Sequence, residues 1–129
     1  MNLAYYVVLF DAATDVLFDQ IGLGAAYRES EAASLFAVET HTVYRRELLA
    51  GAQVRIDAQV LGVGAKRLHV AHEMFDSDAA CAATQKILFV HVSLRTRQSI
   101  VFSSPAALRL SSAVPKAGPP AWVGRRIIL

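Results

Sequence analysis

An α+β fold, one long helix laid on an antiparallel sheet, is what this sequence predicts, and three observations carry the prediction. Leu3, Tyr6, Val7, Phe10, Ala13, Leu17 and Ile21 recur at spacings of three and four, the stripe of a helix that buries one face. From Phe36 the period drops to two, through Phe36, Val38, Thr40, Thr42 and Tyr44 and again through Val54, Ile56, Ala58 and Val60. The stretches between the strand patterns are short and of turn composition, which favours antiparallel neighbours.

Each element has its own signals. Asn2 suits the N-cap of the first helix, and Gly22 with Gly24 supplies its left-handed stop. Running from Leu3 to Ile21, that helix would be nearly 30 Å long, enough to cover one sheet face. The third strand, in KRLHVAHEMFD, puts Leu68, Val70, His72 and Met74 on one face and Arg67, His69, Ala71 and Glu73 on the other. Ala82 to Arg95 is long, rich in β-branched residues and free of Gly and Pro, so it reads as a central strand. Turns are expected at Leu49-Ala50-Gly51-Ala52, Gly62 to Ala65 and Asp76-Ser77-Asp78, giving a helix followed by a meander. After Ser103 a short helix is expected with Ser104 as cap and Pro105 in its first turn. The Pro/Gly-rich stretch Val114 to Ala121 and the segment Trp122 to Leu129 close the chain, and no internal repeat is present.

At 129 residues one domain, 1–129, is expected, with room for a core of its own. The chain is 54% hydrophobic and 19% charged, yet no apolar run nears the ~18 residues that span a bilayer. The apolar excess reads as a surface for assembly into homo-oligomers. A net charge of +2 from scattered basic residues gives no sign of nucleic-acid binding. Cys81 is the only cysteine, so a reducing compartment is the simpler reading, and no basic, apolar and small-residue signal opens the chain. The expectation is a cytoplasmic protein without a membrane segment.

Taken together, certain residues carry a family resemblance. A helix opening Asn-x-x-Tyr-Tyr (Asn2, Tyr5, Tyr6) with Phe10-Asp11, a strand ending Tyr-x-x-Glu-Leu (Tyr44 to Leu48), then Gly51 and Lys-Arg-Leu-His (Lys66 to His69), resembles the hotdog-fold acyl-CoA thioesterases related to 4-hydroxybenzoyl-CoA thioesterase. The resemblance covers Asn2 to Leu94 and within the family runs to small thioesterases linked to carnitine and betaine metabolism. It implies a helix wrapped by an antiparallel sheet, homodimers or homotetramers, and an acyl-CoA substrate bound between subunits, with coenzyme A as part of the substrate and no separate cofactor. Family members carry a first strand and Asp-x-x-Gly-His-x-Asn leading into the helix. This chain begins at Met1-Asn2 and keeps only the Asn, so either its true start lies upstream or the usual machinery is lost.

Thioester hydrolysis needs a carboxylate to activate water or attack the carbonyl, and N–H donors for the developing oxyanion. Asp11, beside the apolar stripe near Ala4 and Phe18, is the best remaining carboxylate, and Asn2 with the first helical turn offers free N–H groups. The competing reading of Asp11 is a solvated boundary residue beside Asp15. Lys66 and Arg67 suit CoA phosphates; without the family they read as strand-edge charges that discourage aggregation. Arg45 and Arg46 carry the same two readings. His69 follows that basic pair on the more polar face and is a candidate ligand contact, whereas His72 reads as a satisfied core histidine. Tyr5 projects from the helix stripe toward a possible subunit boundary, while Tyr6 and Phe10 read as core. Arg125-Arg126 would close over a ligand or pin the tail. No metal is expected, because histidines three apart on a strand point to opposite faces, and Cys81 has no neighbour that would activate it.

Beside the thioesterase stand two other readings. One is a hydratase or dehydratase of the same fold, pairing His41 with Asp11; the other is a noncatalytic acyl-CoA binding or assembly protein.

Overall fold

In a computed structural model that describes residues 2–125 and 127, the chain forms helix α1 (Leu3–Gln20), a short helix α2 (Ala25–Glu31), strands β1 (Ala33–Tyr44), β2 (Arg55–Val63), β3 (Arg67–Phe75) and β4 (Cys81–Ser93), and helix α3 (Ser104–Ala113). A single 3-10 turn, Ala121–Gly124, follows. The strands make one antiparallel sheet in the order β1-β4-β3-β2. This is the hotdog plan of a long helix against an antiparallel sheet.

Asn2 caps α1 as expected, its side-chain oxygen accepting from the Ala4 N–H at 2.8 Å. Gly22, at φ +78°, makes the left-handed stop; Gly24 does not, and instead caps α2 with its Cα pressed against the Asp19 carboxylate. The short helix α2 had no counterpart in the sequence reading. A second correction concerns α3, whose cap is Ser103 rather than Ser104: the Ser103 hydroxyl accepts from the Ala106 N–H, and Ser104 is already helical.

The largest correction is topological. The Leu49–Ala52 turn does not join neighbours, because β1 pairs with β4 and β2 lies at the opposite edge. Only β2, β3 and β4 form a meander, and the 45–54 segment carries the chain across one end of the sheet. The central placement of β4 is as expected. Register slips between Ala37 and Glu39 in β1, and between Val60 and Gly62 in β2, each leave one extra residue on the edge strand.

All three helices lie on one face of the sheet. Beneath them the core divides in two. Tyr6 and Phe10 of α1 pack with Leu48, Met74, Ala82 and Ala83, while Leu17 and Phe18 join Leu23, Tyr27, Val60, Leu68, Val70, Ile87, Phe89, Phe102 and Leu110. α1 therefore runs in the same direction as β4. Buried positions on α1 are Tyr6, Phe10, Thr14, Leu17 and Phe18, a stripe turned away from part of the expected one. Leu3 and Val7 are 59% and 47% exposed, and Val8 and Val16 are exposed beside them. No helix among the described residues is long and apolar enough to cross a membrane.

Candidate active site

Strand alternation sorts the functional residues onto two faces. The inner face, under the helices, carries Thr42, Gln85, His72 and Met74; the outer face carries Glu39, His41, His69, Lys86 and Leu88. The outer residues line a pocket of about 250 Å³. Lys86 there donates to the carbonyls of Val123 at 2.6 Å and Arg125 at 3.2 Å, so the C-terminal segment is tied down over β4. His69, half-buried in this pocket, is pushed below the ordinary imidazole range, first by burial and then by the Lys86 ammonium, against an opposing pull from Glu39.

On the inner face a row of polar side chains crosses the sheet between the two halves of the core. The Thr14 hydroxyl donates to the Phe10 carbonyl at 3.1 Å. With that proton given to Phe10, the oxygen is left to accept from His72, whose Nε2 lies 3.2 Å away; in this tautomer the His72 proton sits on Nε2 and Nδ1 is a lone-pair acceptor. Burial holds His72 neutral, its pKa lowered to about 4. Gln85, the cross-strand partner of His72, donates from Nε2 to Thr42 Oγ1 at 3.3 Å. His72 is thus a core histidine, but only half satisfied, since Nδ1 has no partner among the described residues.

Asp11 is exposed and makes no hydrogen bond or ion pair among the described residues. It shares a flank of α1 with Phe18, whose ring meets Phe89 of β4 edge to face at 5.1 Å, so that flank looks toward β4. The opposite flank faces β2, where Ala13, Val16, Leu17 and Gln20 stand over Ile56 and Ala58. Asp11 therefore stands exposed on the flank of α1 turned from β2 toward β4, with the exposed Val7 and Val8 one turn before it.

The remaining expected contacts scatter. Asn2, the 61%-exposed Tyr5 and Arg45 stand at the end of the molecule where α1 begins, and Arg45 lines a surface pocket with Leu3, Tyr6, Tyr44, Arg46 and Glu47. The Tyr6 hydroxyl donates to the Arg46 carbonyl and accepts from the Leu48 N–H, fixing the turn after β1. Arg46 lies 3.7 Å from Asp76. Lys66 and Arg67 are exposed at the other end, since β3 runs about 26 Å from Arg67 to Phe75. His41 is on the outer face and Asp11 over the inner one, so within one chain the pair expected for a hydratase is not assembled. Cys81 is raised in pKa chiefly by burial, the opposite of an activated thiol. Among the described residues no three His, Cys, Asp or Glu side chains converge as a metal site would require. Arg126, half of the expected tail pair, lies outside the described residues, as do Met1, Ile128 and Leu129.

A long helix packed on an antiparallel sheet, with a polar seam on the inner face, is the hotdog architecture. The chain matches the model of the thioesterase-like superfamily over residues 1–126, and it belongs to that family. It is 36% identical over 111 residues to the betainyl-CoA thioesterase of Pseudomonas aeruginosa, a match covering 84% of this chain and 69% of that protein. It is 33% identical over 104 residues to an L-carnitine dehydrogenase/betainyl-CoA thioesterase of Agrobacterium fabrum, covering 81% of this chain but only 21% of that much longer protein. A Staphylococcus aureus protein solved in complex with CoA superposes on all of this chain and 84% of its own, with a TM-score of 0.88 and 25% identity.

Proposed function

We propose that this chain hydrolyses an acyl-CoA thioester at a site completed between two copies, with Asp11 as its carboxylate. The observation that carries the reading is the setting of Asp11: an exposed carboxylate that follows the exposed apolar residues Leu3, Val7 and Val8, with Asp15 one turn further on, along the flank of α1 turned toward β4. In an isolated chain that surface would be an apolar patch in water; covered by a second copy, it would enclose the carboxylate. Lys66 and Arg67, free at the far end of β3, serve as the phosphate grip for the CoA moiety, and His69, Tyr5, Arg45 and the Asn2-capped helix start are assigned to substrate contacts. CoA enters as part of the substrate, so the reading requires no separate cofactor. The relatives named above act on betainyl-CoA, which makes a small acyl group carrying a quaternary ammonium the first substrate to assay. The lone Cys81 favours a cytoplasmic setting.

Replacing Asp11→Asn keeps the shape of the side chain and should lower acyl-CoA turnover on the order of a hundredfold with the fold intact. Turnover within threefold of the parent would remove Asp11 from the chemistry. Complementation addresses the shared site. Asp11→Asn protein mixed with Lys66→Ala/Arg67→Ala protein should regain activity that neither variant has alone, because a mixed dimer holds one intact site. If mixing restores nothing while both variants assemble, the two groups belong to one chain.

A noncatalytic acyl-CoA binder is the second reading, favoured by the exposure of Asp11 in a single chain. It predicts CoA binding by calorimetry with no hydrolysis of any acyl-CoA ester.

A further inference from the structure

Two buried acceptors stand on neighbouring strands with nothing to accept. His72 is fully buried and Gln85 is 3% exposed; His72 Nδ1 and Gln85 Oε1 have no hydrogen-bond partner among the described residues. The two residues are cross-strand partners of β3 and β4 on the inner face, so their side chains emerge side by side. Each is already anchored by its other polar atom, His72 Nε2 to Thr14 and Gln85 Nε2 to Thr42. Two acceptors cannot satisfy each other, and leaving both bare costs more than most core defects. What satisfies the pair is one small molecule with two protons to donate.

Asp11 stands at the same level. It lies seven residues before Phe18 on α1, about 10 Å of helix rise, and Gln85 lies four residues before Phe89 on β4, about 13 Å of strand. Since α1 and β4 run the same way and Phe18 meets Phe89, Asp11 comes to rest above the stretch of β4 that begins at Gln85. The other buried groups without partners, Gln59 Nε2 and Trp122 Nε1, are donors elsewhere in the chain and share no such arrangement.

We propose that His72 and Gln85 are positioning residues that hold a water molecule beneath Asp11, as the nucleophile of hydrolysis. With both protons drawn toward the sheet, the water turns its lone pairs outward, toward the flank of α1 that carries Asp11, the orientation attack requires. In turnover it exchanges one of those bonds for the Asp11 carboxylate. Its oxygen bonds to the acyl carbon, the carbon–sulfur bond breaks with the electron pair leaving on sulfur, and the released proton passes through Asp11 to that sulfur, giving free acid and free thiol. This role rests on the thioesterase reading; the bridging site itself does not.

The test has two arms. A crystal structure fine enough to show ordered water should hold one molecule within hydrogen-bond reach of both His72 Nδ1 and Gln85 Oε1, and clear density with nothing there overturns the site. In the second arm, Gln85→Leu should lower kcat on the order of tenfold or more with KM little changed. Hydroxylamine, which does not depend on the water site, should then outcompete water, raising the ratio of hydroxamate to free acid. An unchanged kcat and product ratio overturns the positioning role, as does a fall in stability with kcat preserved. Parent protein that hydrolyses no acyl-CoA ester sinks the thioesterase reading and the nucleophile role together, while the bridging site stands or falls on the density alone.

Discussion

His72 and His91 are both buried on the inner face of the sheet, one on β3 and the other on β4, and they are finished to different degrees. His91 donates from Nδ1 to the Ile100 carbonyl at 3.0 Å and accepts at Nε2 from the Tyr27 hydroxyl at 2.7 Å. Its ring stacks on Phe102 at 4.4 Å. Every polar atom is used, and the result is a latch that joins α2, β4 and the segment before α3. His72 has Thr14 on one nitrogen and, among the described residues, no partner on the other. A closed polar network in a core fixes parts of the fold to one another; an open one leaves a valence for something that arrives from outside.

Three measurements bear on that contrast. His91→Ala should be the costliest change, about 3 to 4 kcal/mol in urea unfolding, because it opens a cavity beside Phe102 and strands the Tyr27 hydroxyl and the Ile100 carbonyl. A cost below about 1 kcal/mol would erase the distinction between the two histidines.

Acid should act through His72. Its folded pKa, about 4, is below the ordinary value of 6.5, so the unfolded chain binds the proton more tightly. The stability tied to neutral His72 is therefore complete above pH 6.5 and drains away as the pH falls toward 4, by about 3 kcal/mol over that window. Unfolding curves for the parent and for His72→Phe should diverge below pH 6.5, and parallel curves would show that His72 takes up its proton without penalty.

The smallest effect belongs to Thr14→Val, which keeps the volume but removes the acceptor for His72 Nε2. A loss of about 1 to 2 kcal/mol is expected, with the acid sensitivity of His72 altered in the same variant. No loss at all would mean that His72 turns its ring to find another partner.

Local chemistry made much of the fold legible. Asn2 as a cap, the left-handed Gly22, the long β-branched run of β4 without Gly or Pro and the two-sided pattern of β3 each report on residues within a few positions of one another. The pairing of β1 with β4 does not, because Leu49–Ala52 looks like any tight turn and nothing near it records that the next strand lies across the sheet. The stripe on α1 differs from the expected one: Leu3 and Val7 have the right spacing for burial, but the buried face centres on Tyr6, Phe10, Thr14 and Leu17 and leaves them exposed. Residue type and neighbours nominate Asp11 and His69, which the fold puts on opposite sides of the sheet. Gln85 and Thr14 could not be named that way, since a glutamine within an apolar strand and a threonine within a helix acquire meaning only when His72 lies between them. The one available signal was adjacency: Gln85 and Lys86 interrupt an apolar strand side by side, so one of them had to enter the core.

The strand order sets a schedule for the growing chain. Ala33 must wait for Ser93, and Tyr44 for Ala83, before β1 acquires a neighbour. Of these four strands β1 is made first and paired last, while β2, β3 and β4 can zip together as hairpins in the order they emerge. Closing so long a loop costs entropy before it returns any contact, which makes β1 docking the natural slow step of folding. In that interval a strand carrying Leu35, Phe36 and Val38 is open to other chains, and expression at lower temperature or with chaperones should repay itself in yield by shielding that one segment.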